Sequence, residues 1–449
     1  MKSLLSENLI NLAKSCPYPL YVVGGRCRDF LAGLTCEKPD NDICAPADAD
    51  DFIERAKSAG FGIDAVYKNT GTVKLSCGGE DYEFTCFRSD EYVRGTHRPV
   101  RTFFTDDITL DAKRRDFKCN AVYYDIVGGQ FVDPLGGIED IKAKRMTTVD
   151  DALKVFGEDG LRLMRLARIA AQTGFTPDEE CINGAREKAI LIEDVARERV
   201  YAELDAILHA EEKYGAGNAV YRGLDILRKT WVIGFILNYL AAGDGMEQRA
   251  DYHKYDVLEH SIRAAAYADK RVRLAALLHD AGKPYCMHRF GNFHEHDYWG
   301  SLIAEDTCRL LYVPKKLTER VEKLVSLHMY DFDCKARENK VRKFIVENYE
   351  YFDDLMLLKQ ADYSACRDDF SPAPTVVKMK GIYEKMKAEN IPFTVKELDV
   401  RGDELIAAGC PKELTAQCLK GLLLRCAVKT VENEKDKLVN YAVKVAFRF

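Results

Sequence analysis

No apolar run in this 449-residue chain approaches the ~18 residues that a membrane span requires. Met1 to Ser15 is interrupted by Glu7, Asn8, Asn11 and Lys14, which suits a first helix better than a signal peptide. No C-x-x-C pair occurs among the fifteen cysteines. Their odd number, and the apolar context of Cys44, Cys77, Cys86 and Cys119, point to reduced buried thiols in the cytoplasm rather than a disulfide framework or zinc ribbon. A basic excess is missing too: the net charge is −6, so any nucleic-acid affinity must come from local basic surfaces. Internal repeats and low-complexity tracts are also absent. What remains is 47% hydrophobic and 31% charged, ordinary for a globular protein. The length exceeds one typical core, so two to four domains are expected.

The most informative feature is a pair of glycines followed by a pair of aspartates. Gly24-Gly25 lies between a short apolar strand, Leu20 to Val23, and a helix-like run, Arg26 to Leu31. Backbone N–H groups at such a junction can face a phosphate. Asp40 and Asp42 follow, one residue apart; on a strand their carboxylates share a face and repel unless a cation sits between them. Mg²⁺, held by carboxylates and substrate phosphates, is the expected cation. A surface Asp-x-Asp turn would look the same in sequence. Val73 to Cys77, Gly78-Gly79 and Tyr82 to Phe87 read as a hairpin, whose Glu83 supplies a third carboxylate. Residues 17 to 145 read as α/β, and from Thr148 the pattern turns helical. Breaks are expected at Gly215 to Asn218, Ala241 to Gly245 and Ser371 to Pro374.

Lys113-Arg114-Arg115-Asp116-Phe117 sets three cations ahead of a strand-like Asn120 to Tyr124. Arginine forks suit triphosphate oxygens, although a solvated charge cluster has the same composition. Glu158 to Arg168 opens a helix on which Asp159, Arg162, Arg165 and Arg168 recur every third residue. Asp159 offers acceptors and Arg162 donors, so the two can match the Watson–Crick edge of a base. A solvated helix face is the competing reading.

Taken in order, Val-Gly-Gly-x-x-Arg-Asp, Asp-x-Asp, Arg-Arg-Asp-Phe-x-x-Asn-Ala, Asp-Pro-x-Gly-Gly and Glu-Asp-x-x-Arg-x-x-Arg resemble the class II tRNA nucleotidyltransferase and bacterial poly(A) polymerase family. The resemblance runs over residues 17 to 205, ending near Glu198-Arg199-Val200. It departs at Arg26-Cys27 and Lys118-Cys119. It implies an α+β chain: a polymerase-β-like nucleotidyltransferase head with a mixed sheet and helices, followed by all-α neck, HD and tail domains. It implies catalytic Asp40 and Asp42 binding metal, with Glu83 beside them. Gly25, Arg28 and Arg115 would contact nucleotide, with Arg114 a neighbour. Asp159 and Arg162 would read the base, assisted by Arg165 and Arg168. A loop between Arg88 and Pro99 is expected to help switch specificity from C to A.

Seven of the nine histidines fall between His253 and His328, too dense for core packing alone. Imidazoles with carboxylates suit Mn, Fe, Ni or Zn. Leu-Leu-His-Asp-Ala-Gly-Lys-Pro resembles the HD metal-dependent phosphohydrolase domain, over residues 253 to 365. The ligands carried over are His260, His279, Asp280 and Asp362; His296 and His328 match the extra positions of two-metal members. His253, His288 and His294 would line the site or face solvent, and Lys283 would contact a phosphate. A structural helical domain without catalysis is the alternative.

The boundaries implied are 1–147 for the head, 148–245 for the neck with its base-reading helix, 246–370 for the HD domain and 371–449 for the tail. The tail, through Arg401 to Leu405 and Gly409 to Pro411, weakly resembles the segment that holds the tRNA elbow. The implied activity is addition or repair of the 3′-terminal CCA of tRNA from CTP and ATP, with Mg²⁺ and release of pyrophosphate. A second divalent transition metal is implied at the HD site. tRNA would be held at its acceptor stem and elbow, with no membrane involved. A poly(A) polymerase, an enzyme adding only CC or only A, and an HD phosphohydrolase with an RNA-binding head are the alternatives.

Overall fold

The computed structural model describes residues 5–37, 40–91 and 100–446. Most of the expected specificity loop, residues 92–99, lies outside the described residues. The chain divides into two units, Met1–Ala241 with Leu310–Val313, and Ala242–Arg309 with Pro314–Phe449. The first chain break therefore falls inside the Ala241 to Gly245 segment.

Nine strands organise the start of the first unit: β1 Tyr21–Val23, β2 Asp42–Ala45, β3 Gly62–Tyr67, β4 Thr72–Cys77, β5 Glu80–Cys86, β6 Arg88–Glu91, β7 Arg101–Phe104, β8 Tyr123–Asp125 and β9 Gln130–Val132. Seven make one sheet in the order β3-β4-β5-β2-β1-β8-β9. β2 runs parallel to β5 while the other neighbours are antiparallel, so the sheet is mixed. β6 and β7 pair separately. The β4–β5 hairpin turns on Gly78 and Gly79, both at positive φ (61° and 81°), as a two-residue turn between right-twisted strands demands. Along β5, Tyr82, Phe84 and Cys86 are buried and Glu83 is exposed, and Phe52 of the Ala49–Ser58 helix stacks on Phe84.

Beyond Asp133 the first unit is mainly helical. The Leu161–Thr173 helix buries Leu163, Met164, Leu166, Ala167 and Ala170 against the Arg197–Leu208 and Ala219–Lys229 helices. It starts later than the sequence suggests. Glu158 ends the preceding helix, and Asp159 and Gly160 form the joint, with the Asp159 carboxylate accepting from the Leu161 N–H at 2.9 Å. Asp159 therefore sits at the mouth of the arginine helix, not on its stripe.

The second unit is helical among its described residues. Helices Val257–Tyr267, Arg273–Leu278 and Phe352–Arg367 pack on one another, and His296–Leu310 and Lys315–Leu327 each add a histidine near an end. No helix among the described residues is long and apolar enough to cross a membrane.

Candidate nucleotidyl-transfer and metal sites

β1 delivers the chain to Gly24, whose φ of +77° turns it into the Gly25–Ala32 helix. A Cβ on Gly24 would lie 2.9 Å from Asp42 Oδ2, so the missing side chain makes room for that carboxylate. Asp42 opens β2 and is half-buried. Asp40 precedes the strand, is exposed, and meets Lys213 at 2.9 Å. The expectation that both aspartates share a strand face is thus corrected: only Asp42 has joined the ladder, and Asp40 hangs from the connecting loop. Glu83 is register-paired with Asp42 but faces solvent beside Lys74, 3.8 Å away. Burial pushes the Asp42 carboxyl up to about 6, with Arg115 opposing and Glu83 and Asp40 adding to the rise.

Asp40 and Asp42 line a cavity of about 330 Å³. Gly24, Gly25, Arg28, Arg114, Arg115, Asp159, Arg162, Arg165, Arg168, Arg199 and Lys213 line it as well. With eight cations against the four carboxylates Asp40, Asp42, Asp116 and Asp159, the lining favours a polyanion. The seven residues expected to contact nucleotide, Gly25, Arg28, Arg115, Asp159, Arg162, Arg165 and Arg168, all line the cavity, and Glu83 is outside the lining.

The arginines are held in place by acids that the sequence reading left without a role. Asp111, fully buried, accepts from Arg114 Nε (2.7 Å), Arg115 Nη2 (3.0 Å) and the Tyr123 hydroxyl (2.7 Å). Burial alone would raise its carboxyl; Arg114 and Arg115 instead hold it well below the usual range. Asp116 accepts from Arg165 Nη2 and Nε at 2.6 and 2.8 Å and from Asn120 at 3.0 Å. It too is held low against burial, chiefly by Arg165. Arg28 donates to Asn120 at 2.8 Å and to Asp29 and Tyr214. Arg162, nearly buried, donates to Glu158 (2.8 Å), Val155 O (2.9 Å) and Arg114 O (2.7 Å). Arg168 pairs with Glu203. Lys213, Asp111 and Glu203 carry no motif; only the fold brings them in.

In the second unit, Asp280 stands between two groups of imidazoles. Its Oδ2 lies 3.5 Å from His260 Nε2 and 3.3 Å from His279 Nε2, and both nitrogens also face Asp362 Oδ1, at 3.1 and 3.5 Å. Its Oδ1 lies 3.3 Å from His296 Nε2 and 3.8 Å from His328 Nε2. In three histidines Nδ1 bonds a carbonyl three residues back: His279 to Ala276 O (2.7 Å), His296 to Phe293 O (2.8 Å) and His328 to Val325 O (2.6 Å). That places the proton on Nδ1 and turns the Nε2 lone pair inward, the arrangement a cation needs. Clusters of three close donors form around His260–His279–Asp362 and around Asp280–His296–His328.

Burial lowers the His279 imidazole, but Asp280 and Asp362 lift it to about 10. Burial would raise the Asp280 carboxyl, yet His279 and Lys283 hold it well below the usual range. Lys283 donates to Asp280 Oδ2 and to Gln248 Oε1, both at 2.7 Å, so the lysine expected to meet a phosphate is engaged with the cluster. His288 and His294 are exposed, and half-buried His253 is held down to about 4, mainly by burial.

A mixed-sheet head with an aspartate-and-arginine cavity is thus followed along the chain by a helical unit with a His–Asp cluster. Residues 20–147 match the Poly A polymerase head domain and residues 251–363 the HD domain, so the chain carries both. A CCA-adding enzyme of Lactococcus lactis subsp. cremoris is 37% identical over 199 residues, 43% of this chain and 48% of that protein. The chain thus spans about half the length of the curated relatives it matches in this way. An A-adding tRNA nucleotidyltransferase of Deinococcus radiodurans is 29% identical over 371 residues, 78% of each chain. In fold, the chain is similar to the CCA-adding enzyme of Bacillus stearothermophilus in complex with CTP, with a TM-score of 0.68 at 21% identity over 100% of this chain and 98% of that one.

Proposed function

We propose that this chain is a cytoplasmic tRNA nucleotidyltransferase that builds or repairs the 3′-terminal CCA from CTP and ATP, releasing pyrophosphate. One observation carries the reading: the Asp40–Asp42 pair and the base-reading candidates Asp159 and Arg162 line one cation-rich cavity. The oxygen donors of Asp40 and Asp42 suit Mg²⁺, and Asp42 is raised mainly by burial, against Arg115 and with Glu83 and Asp40 adding to the rise. When bound there, the ion lowers the pKa of the tRNA 3′-hydroxyl and offsets charge on the phosphates. Glu83 adds to the negative field at Asp42. Gly25 offers its backbone N–H, while Arg28 and Arg115, held by Asp29 and Asp111, orient the triphosphate for in-line attack. Asp159 and Arg162 select the base, with Arg165 and Arg168 flanking. A positioned protein template replaces a nucleic-acid one, so Asp116 and Glu158, which fix Arg165 and Arg162, set its rigidity.

In the HD unit, His260, His279, Asp280 and Asp362 would hold one divalent transition ion, and Asp280 with His296 and His328 a second. Such ions supply an activated water for phosphate-ester hydrolysis. We read residues 1–147, 148–245, 246–370 and 371–449 as catalytic head, base-reading neck, metal unit and tRNA-elbow tail. Addition of A alone is the second reading, favoured by the A-adding relative that spans 78% of both chains.

The test is incubation with tRNAs ending before CCA, before CA, or before the final A, with labelled CTP and ATP supplied separately and together. CCA addition gives two C and one A on the shortest tRNA. Incorporation only of A, and only on the tRNA ending in CC, replaces the first reading with the second. Long A-tracts from ATP alone, or no incorporation at all, overturn both.

A further inference from the structure

One histidine of the Asp280 cluster breaks the pattern of the others. His279, His296 and His328 each bond a carbonyl through Nδ1. His260 does not: its Nδ1 is buried without a partner, although the residue is wholly excluded from solvent. The same holds for His253 Nδ1. The two rings meet edge to face, with centroids 5.0 Å apart. A ring nitrogen of each histidine and Cys366 Sγ lie within 4.8 Å of one another. Both histidines thus carry a buried Nδ1 without a hydrogen-bond partner among the described residues, and each brings a ring nitrogen close to the Cys366 thiol.

The chain holds this arrangement deliberately. Asp362 and Cys366 are one turn apart on the Phe352–Arg367 helix, so they lie on one face. Asp362 meets His260 Nε2 at 3.1 Å. Cys366 follows one turn on, and its carbonyl accepts from the Lys254 N–H at 2.9 Å, tying the residue after His253 to the same turn. Arg367 fastens the preceding backbone by donating to the Ala250 and Tyr252 carbonyls.

We propose that His253, His260 and Cys366 form a third cation site, for a zinc-class ion. Two nitrogens and one sulfur are a borderline-to-soft donor set, unlike the nitrogen-and-carboxylate sets around Asp280. Three protein ligands leave a fourth position to water. The geometry points to Nδ1 of both histidines as the donors. His260 then bridges two centres, Nε2 toward Asp280 and Nδ1 toward Cys366. Filling this site alone releases the thiol proton to solvent and leaves the His260 proton on Nε2; that proton is released as well only when the Asp280 centre is also filled. The inference shares only His260 with the proposed HD centre.

The test uses the full chain stripped of metal and titrated with Co²⁺. A thiolate-to-cobalt charge-transfer band is expected, absent in Cys366→Ser and needing at least tenfold more Co²⁺ in His253→Gln. In Asp280→Asn the band persists. Because a variant can misfold, the wild-type chain is also alkylated with iodoacetamide and mapped by mass spectrometry. Zn²⁺ is expected to protect Cys366 severalfold. A band that survives in Cys366→Ser, or no band together with equal Cys366 alkylation with and without Zn²⁺, overturns the site. A Cys366-dependent band in a chain whose Asp280 cluster binds no metal upholds it and removes the HD metal reading instead.

Discussion

The arginine cavity of the first unit and the imidazole cluster of the second both gather carboxylates, but they neutralise them in opposite ways. In the cavity, Asp40 is exposed and Asp42 half-buried, and the surrounding charge comes from long cationic side chains. Five of the eight are fixed by an acid behind them: Asp111 for Arg114 and Arg115, Asp116 for Arg165, Glu158 for Arg162, Glu203 for Arg168. Such a lining is shaped in advance for a polyanion that arrives with its own ion. Around Asp280 the donors are buried and Nε2 atoms face inward without any substrate. That cluster offers two groups of donors that could each hold a cation. On the proposed reading, the difference teaches where each site's charge balance would be completed: by ligand in the first unit, by metal in the second.

The contrast breaks most decisively at Asp42. Asp42→Asn keeps the shape beside Gly24 but removes the charge. Nucleotide incorporation should fall by about 10³-fold, the upper range for losing one electrostatic stabiliser, with tRNA binding unchanged in a filter assay. Near-normal incorporation would mean that the cavity does not depend on a cation at Asp42.

The matching change in the second unit is Asp280→Asn. Asp280 Oδ2 faces one donor group and Oδ1 the other, so both Asp280-centred sites should weaken, by about 100-fold or more. Elemental analysis after dialysis measures it. Incorporation should stay at the wild-type rate; its loss would show that the two sites are not separable.

A smaller effect sharpens the first half of the comparison. Arg162→Ala should lower discrimination of CTP over UTP by about tenfold or more, since a hydrogen-bonding selector is lost. It should also cost about 1–3 kcal/mol of stability, because Glu158, Val155 O and Arg114 O lose a buried donor. Unchanged discrimination in competition assays would leave Arg162 a structural clasp.

Much of this comparison is legible in the residues, and the illegible part has a physical pattern. The hairpin is readable because Gly78-Gly79 permits two positive φ values and β5 alternates. His279-Asp280 is readable because two ligand types adjoin after an apolar run. Asp111 is not, because a helical Asp four residues before an Arg looks like a solvated i,i+4 pair, whereas here it is fully buried. Lys213 meets Asp40 across 173 positions, a pairing no local pattern encodes. The spacing of Asp40 from Asp42 suggests a shared strand, but the ladder begins at Asp42, two residues too late for that.

The smallest expected effects lie in the pH dependence of folding, and there the two units should part on one side only. Asp111 and Asp116 are held below 3.8, so the stability they contribute is full above that value and lost as pH falls through their folded values. Asp280 and Asp362 behave the same way in metal-free protein. Both units should therefore weaken below about pH 4, and Asp116→Asn should flatten the acid limb of the first. His279 has the opposite sign. Its folded value of about 10 lies above the ordinary 6.5, so its contribution is full below 6.5 and lost as pH rises through 10. Metal-free protein should thus lose second-unit stability between pH 6.5 and 10, a limb without a counterpart among the cavity's arginine pairs. Bound metal replaces the His279 proton and should abolish that limb. Hydrogen exchange resolved by unit, with and without Zn²⁺, measures it. An alkaline limb that survives metal loading would mean that His279 keeps its proton and is not a ligand.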